Sequence, residues 1–308
     1  LPAFNRSSDS GGPCGRFAPT PSGPLHLGSL LTAVGSYLSA KQAGGRWLVR
    51  IEDLDRHRAI PGVADQILRS LESFKFEWDG IVAFQSNRTL FYEQALDRLT
   101  AAGLCYPCRC SRSQLAAQPQ EPGEELVYPG TCRNDPEAGV GPHALRFRTS
   151  ASPSEVRFVD RLQGPVTEDC RRMAGDFVIR RRDGFFAYHL AVVVDDELQG
   201  VTEVVRGCDL LSCTPRQILL QRALGYRTPE YAHLPLLLEA DGRKLAKSRR
   251  AVPLDPDRAA PALWQALDWL RQKPPPELAA APIREIWDWA LPNWHPEWLK
   301  GCRELPLS

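Results

Sequence analysis

The sequence predicts an α/β fold built on a parallel sheet, interrupted by an insertion and followed by a small helical end-piece. Three observations carry this. Strand and helix patterns alternate over the first 75 residues, the order a parallel sheet requires. The pattern breaks from Cys105 to about Cys170, where short strands such as Ala144–Arg148 sit among Pro, Gly and Cys. It then resumes, and after about Leu254 gives way to a helical, Trp-rich stretch.

The elements follow in order. Residues 1–14 are a polar, Gly/Ser-rich lead-in that reads as disordered. Arg16–Pro24 opens apolar and becomes a Pro/Gly turn. Leu27, Leu30, Leu31, Val34 and Leu38 recur at helical steps, and Gly44–Gly45 ends that helix. Trp47–Ile51 reads as a buried strand running into Glu52–Asp55, and Val63, Ile67, Leu71 and Phe74 mark a second helix. Thr89–Ala102 is a third, with Thr89 as N-cap and Gly103 as stop. Regular α/β character returns at Phe177–Arg180 and Ala187–Val194. Thr214–Pro215 is a cap-then-proline pair opening a helix that runs to Gly225. Trp264, Trp269, Trp287, Trp289, Trp294 and Trp298 suit packing of the end-piece better than base stacking. The expected organisation is thus 15–104 and 171–255 as two halves of a nucleotide-binding core, 105–170 as the insertion and 256–308 as the helical piece.

Composition narrows the function. The chain has 308 residues, 43% apolar and 24% charged, which is ordinary globular usage and excludes a wholly disordered chain. No apolar run is long enough for a membrane span. Lys plus Arg is 38 against 37 Asp plus Glu, so any nucleic-acid contact must come from a local patch. Arg171, Arg172 and Arg180–Arg182 form one basic cluster, Arg249 and Arg250 another. Nine cysteines, three of them crowded at Cys105, Cys108 and Cys110 with no apolar leader, suit a reducing cytoplasm and metal more than disulfides.

Two remote strings carry the chemistry. Pro24–Ser29 lies where a turn enters a helix, whose N-terminus attracts anions; His26 can donate to a phosphate and Gly28 allows close approach. Far downstream, Gly242–Arg250 is a basic loop with Lys244 and Lys247 three apart. Alone it is an ordinary solvated surface. Paired with the His26 turn, it can wrap a triphosphate and neutralise departing pyrophosphate. The metal-ligand pattern is Cys108, Cys110 and a distant Cys132, which suits tetrahedral zinc. Cys105 would complete a four-thiolate set.

The strings His26–Ser29 and Lys244–Ser248 resemble the two signatures of class I aminoacyl-tRNA synthetases. Arg16–Gly23, Arg50–Asp55 and Gly200–Gly207 are similar to the glutamyl and glutaminyl branch, and the resemblance covers about residues 15–255. Two positions depart: Ser29 stands where the class has a second His, and Ala246 where a polar residue is usual. The resemblance implies a Rossmann-like doubly wound parallel sheet with a zinc-containing insertion. It implies His26 and Lys247 as catalytic residues. His26, Gly28, Ser29, Lys244 and Lys247 would bind ATP with Mg²⁺. It matches Arg16, Phe17, Ala18, Pro19, Thr20, Glu52, Tyr188 and Arg206 to the glutamate site. Chemistry agrees, since guanidiniums fork carboxylates, a carboxylate takes the ammonium and a phenol adds a hydrogen bond. The resemblance points to Tyr128 as the fourth structural zinc ligand beside Cys108, Cys110 and Cys132.

Only about 50 residues follow the second signature, too few for an anticodon-reading region. A core alone resembles enzymes of this branch that activate glutamate without tRNA and transfer it to queuosine in the tRNA(Asp) anticodon. The partners implied are glutamate, ATP and that anticodon arm, for a cytoplasmic monomer with no membrane contact. Two alternatives stand beside this: a shortened enzyme charging a tRNA 3′ end, and an inactive RNA- or protein-binding module.

Overall fold

The structure, a computed structural model, describes residues 12–116, 127–151, 153–238 and 253–306. The Lys244–Ser248 signature, Arg249, Arg250 and most of the lead-in lie outside these residues. The chain opens with β1 (Cys14–Phe17), α1 (Leu27–Gln42), β2 (Arg46–Ile51), α2 (Val63–Ser73) and β3 (Ala83–Phe84). The three strands pair in parallel in the order β1-β2-β3. The expected helical stripe is the buried one: Leu30, Leu31, Val34 and Leu38 of α1 are all inside. Next comes α3 (Thr89–Ala101). Its cap is Arg88, not Thr89; Thr89 is already helical and no side chain closes the first turn. Gly103, at φ +68°, stops the helix as expected.

The middle of the chain contributes β4 (Cys105–Cys108), α4 (Arg112–Ala116), β5 (Ala144–Phe147), β6 (Glu155–Asp160), β7 (Gly164–Asp169), α5 (Cys170–Met173) and β8 (Val178–Arg180). Strands β4, β5 and β8 form an antiparallel sheet, while β6 and β7 form a hairpin. Residues 105–170 are stitched into both flanks. β5 pairs with β8, and β6 lies parallel to β10 (Glu230–Leu234).

After β8 come α6 (Tyr188–Leu198), β9 (Glu203–Gly207) and α7 (Thr214–Leu224) before β10. The second parallel sheet runs β7-β6-β10-β9, antiparallel only at its β7 edge. The two sheets meet at β1 and β9, where Thr202 N donates to Cys14 O at 2.9 Å and Cys14 N donates to Thr202 Oγ1 at 2.8 Å. One apolar cluster joins α1 and α2 to the C-terminal helices; the other joins α3, α6 and α7. This is helix packing on both faces of a parallel sheet. The fold opens a crevice beyond the strand C-termini, where the strand order changes direction.

The C-terminal piece holds β11 (Leu236–Leu238), α8 (Ala259–Trp269), α9 (Ile283–Ala290) and β12 (Glu304–Pro306). β12 returns to pair in parallel with β11. Five of its tryptophans pack in the first cluster, as expected; Trp298 instead is 42% exposed and stacks on His295. Trp287 donates to Phe74 O at 2.9 Å and meets Tyr37 and Phe76 at about 5 Å. No helix among the described residues is long and apolar enough to cross a membrane.

The end-piece is therefore part of the first core. Trp287→Ala should cost about 3–5 kcal/mol in urea unfolding, the range for losing a buried aromatic. Trp298→Ala should stay within about 0.5 kcal/mol.

Candidate active site

The C-terminal ends of β1, β2, β9 and β10 open into one cavity of about 690 Å³, a size suited to a small-molecule substrate. Arg16 and Phe17 end β1, and Ala18, Pro19 and Thr20 follow as its rim; Glu52 follows β2. Tyr188 begins α6 and Arg206 lies near the end of β9. His26, Gly28 and Ser29 line it from the start of α1. Every expected glutamate-site residue thus lines the same cleft, together with His26, Gly28 and Ser29 of the first signature; Leu27 packs against the core instead. A second cavity, of about 610 Å³ between Arg161, Glu203 and Trp294, holds none of them.

His26 is the N-cap of α1. Its Nδ1 accepts from Gly28 N at 3.1 Å, which puts the neutral ring's proton on Nε2. A phosphate donor from this residue is therefore Nε2. Lys244 and Lys247 are outside the described residues.

Beneath the cleft lies a buried ionic network the sequence reading missed. Asp196 of α6 accepts from Arg16 Nε at 3.3 Å and from Arg50 Nη1 at 2.7 Å. Arg50 is fully buried; its Nη1 also donates to Gln199 at 2.7 Å, and its Nη2 lies 3.4 Å from Glu52. Asp195, next along α6, accepts from Arg88 at 2.5 Å, Gln85 at 2.8 Å and Tyr92 at 2.8 Å. Three guanidiniums face three carboxylates. Burial disfavours the Asp196 carboxylate, but Arg16 and Arg50 outweigh it and hold the pKa below the usual range. Burial holds Glu52 above its usual range, against the pull of Arg50 and Arg16.

Arg206 is held differently. Its Nε donates to His233 at 3.0 Å, Nη2 to Thr214 Oγ1 at 2.7 Å and Nη1 to Tyr188 at 3.3 Å. It also lies over the Tyr231 ring. These partners are all neutral: burial lowers the His233 pKa and pushes Tyr188 up to about 12. A buried guanidinium at the cleft wall has no carboxylate bonded to it among the described residues. Thr214 was expected to cap α7. Cys213 holds that position, and the Thr214 hydroxyl serves Arg206 instead.

The expected metal ligands also converge. The Sγ atoms of Cys108, Cys110 and Cys132 lie within 4.8 Å of one another. Tyr128 Oη is 3.4 Å from Cys108 and 3.8 Å from Cys110, and accepts from Cys132 N at 2.8 Å. Tetrahedral ligands at about 2.3 Å from zinc sit roughly 3.7 Å apart, so this set fits. Arg146 stacks 3.7 Å from the Tyr128 ring centre, supplying positive charge beside four potential anions. Cys105 does not join them. It lies three residues before Cys108 on β4, hence on the opposite face, and contacts Thr100 at 3.1 Å. Gly175 backs Tyr128 at φ +62°; a Cβ there would sit 2.5 Å from the Tyr128 carbonyl oxygen.

In the basic cluster, Arg171 and Arg172 are exposed on α5. Arg181 pairs with Asp55 at 3.1 Å and Asp183 at 2.6 Å, and Arg182 donates to Arg109 O.

Residues 14–257 match the family described as tRNA synthetases class I (E and Q), catalytic domain. The chain is 53% identical over 282 residues to the Glutamyl-Q tRNA(Asp) synthetase of Dechloromonas aromatica, covering 91% of this chain and 93% of that protein. A glutamate tRNA ligase from Elizabethkingia meningosepticum, solved in complex with its amino acid, is 29% identical with a TM-score of 0.65. That match covers 76% of this chain and 52% of the ligase, so the chain spans about half of it. A glutamate-tRNA synthetase from Elizabethkingia anophelis shares the fold, with a TM-score of 0.78 at 24% identity over 96% of this chain and 68% of that one.

The network under the cleft makes one stability prediction. Asp196→Asn removes the carboxylate shared by Arg16 and Arg50 and should cost about 3–5 kcal/mol in urea unfolding.

Proposed function

The chain belongs to the class I tRNA synthetases of the glutamyl and glutaminyl type, and from that premise we propose that it activates glutamate with ATP, without tRNA, and passes the glutamyl group to queuosine in the anticodon of tRNA(Asp). One observation carries the amino-acid assignment. Arg206, a buried cation whose bonded partners are neutral, shares a cleft with Arg16, Glu52 and Tyr188. That set suits a ligand with two carboxylates and one ammonium. The D. aromatica relative's name supports the tRNA(Asp) acceptor.

The chemistry is mostly positioning. A glutamate α-carboxylate oxygen bonds to the α-phosphorus of ATP while the bond to the β-phosphate bridging oxygen breaks, releasing pyrophosphate. The α1 N-terminus and His26 Nε2–H stabilise the phosphate charge; Lys244 and Lys247 are assigned the departing pyrophosphate, with Mg²⁺. A queuosine hydroxyl then attacks the activated carbonyl and AMP leaves, so no protein nucleophile is required. An incoming ammonium would favour the charged form of Glu52, which burial alone disfavours. The Cys108, Cys110, Tyr128 and Cys132 set is assigned one structural zinc. Burial raises the Tyr128 pKa and pushes Cys110 up to about 11, and a divalent cation offsets that penalty.

The protein should catalyse glutamate-dependent ATP–pyrophosphate exchange with no RNA present. Arg16→Ala and Arg206→Ala should each abolish it, a loss of about 3–5 kcal/mol. Failure of glutamate to support exchange, or unchanged glutamate saturation in both variants, refutes the pocket. Labelled glutamate should map by nuclease digestion to the anticodon fragment of tRNA(Asp); label at the 3′ end favours the charging reaction instead. Metal analysis of protein purified without chelator should find about one zinc per chain, lost in Cys108→Ala.

A further inference from the structure

Arg206 reaches the cleft from a bed that no part of the mechanism above uses. His233 lies on β10 directly beside Arg206 on β9, and Asp160 ends the neighbouring strand β6. All three are buried, His233 completely and Asp160 and Arg206 to within 1% and 3% of it. His233 Nδ1 is 2.5 Å from Asp160 Oδ2, and His233 Nε2 is 3.0 Å from Arg206 Nε. The other Asp160 oxygen accepts from the backbone N–H groups of Leu162, Gln163 and His233 at 2.8–3.2 Å, which fixes the carboxylate plane.

We propose that Asp160 and His233 are a positioning pair for Arg206, fixing its guanidinium so that the Nη1 side, toward Tyr188, meets a substrate carboxylate; this rests on the reading of the cleft as a glutamate site. The hydrogen count requires it. Arg206 Nε carries one hydrogen and can only donate, so His233 Nε2 must be bare. The ring proton then sits on Nδ1 and points at Asp160, the one oxygen able to hold it there. Thr214 Oγ1 and Leu210 O take Nη2 at 2.7 and 3.3 Å, so the remaining edge is Nη1. An imidazole also serves where a carboxylate would fail. A carboxylate bonded to Arg206 would neutralise the charge the substrate needs, whereas neutral His233 leaves it available and keeps the Asp160 charge one ring away.

Asp160→Asn tests this with almost no change of shape. The Asn oxygen can keep the three backbone bonds, while its amide donates to Nδ1 and drives the ring proton to Nε2, against Arg206 Nε–H. Two readouts decide. Nitrogen NMR of ring-labelled histidine needs no substrate. It should find the His233 proton on Nδ1 in the parent and on Nε2 in Asp160→Asn. In glutamate-dependent pyrophosphate exchange, Asp160→Asn should raise the glutamate KM roughly tenfold or more, while the ATP KM and the kcat at saturating glutamate change by less than about twofold. His233→Gln, whose amide oxygen can still accept from Arg206, should retain more glutamate affinity than His233→Leu. A parent ring protonated on Nε2, or an Asp160→Asn protein with unchanged glutamate KM, overturns the proposal. A parent that shows no exchange with glutamate overturns the glutamate reading of the cleft; the NMR result then still decides whether the pair sets Arg206.

Discussion

Charge burial beneath the cleft is the constraint on which the rest depends. Arg50 has no solvent contact, and an isolated guanidinium there would cost several kcal/mol. It is tolerable because Asp195 and Asp196 arrive together on α6 and Glu52 follows Arg50 on its own chain. The requirement fixes distances between remote parts of the sequence. β1 and β2 must stand against α6, which lies more than 130 residues further on, or charges are stranded. The network therefore ties the two halves of the parallel core across everything inserted between them.

The same constraint divides labour between the two arginines of the cleft. Arg16 shares its charge with Asp196, so it is anchored and largely compensated. Arg206 is anchored by His233, Thr214, Leu210 O and Tyr188, none of them anionic, so its charge is left for whatever occupies the cleft. Two residues of one type, on adjoining strands of one cleft, thus offer unequal attraction to a carboxylate. The inequality comes from their partners.

The sequence carried the cleft but not its foundations. The His26 turn, the α1 stripe and the strand ending in Glu52 are local patterns, readable over a dozen residues. Asp195 and Asp196 close a run of Ala and Val, and on their own read as the polar end of an apolar helix. Thr214 before Pro215 has the form of a cap, and only the position of Arg206 across the sheet gives its hydroxyl another use. Cys105 was an acceptable ligand by spacing alone; the alternation of β4 excludes it, and four residues containing a proline gave no strand pattern to count from. The β11–β12 pairing joins segments some 65 residues apart and has no local signal.

The thiol cluster and the cleft are also mechanically joined. Cys108 ends β4, β4 pairs with β5, and β5 pairs with β8. From β8 the chain folds back through the Arg180–Phe186 bridge, and Ala187 N donates to Ile179 O at 2.9 Å immediately before Tyr188 starts α6. The first turn of α6 is thus hung on the sheet that the cysteines close. Its last turns carry Asp195 and Asp196 into the ionic network. A loosened cysteine cluster would reach the cleft by two routes, through the phenol that contacts Arg206 and through the carboxylate that holds Arg16. A structural metal in the insertion would then be part of what keeps the cleft in register, although none of its ligands lines it.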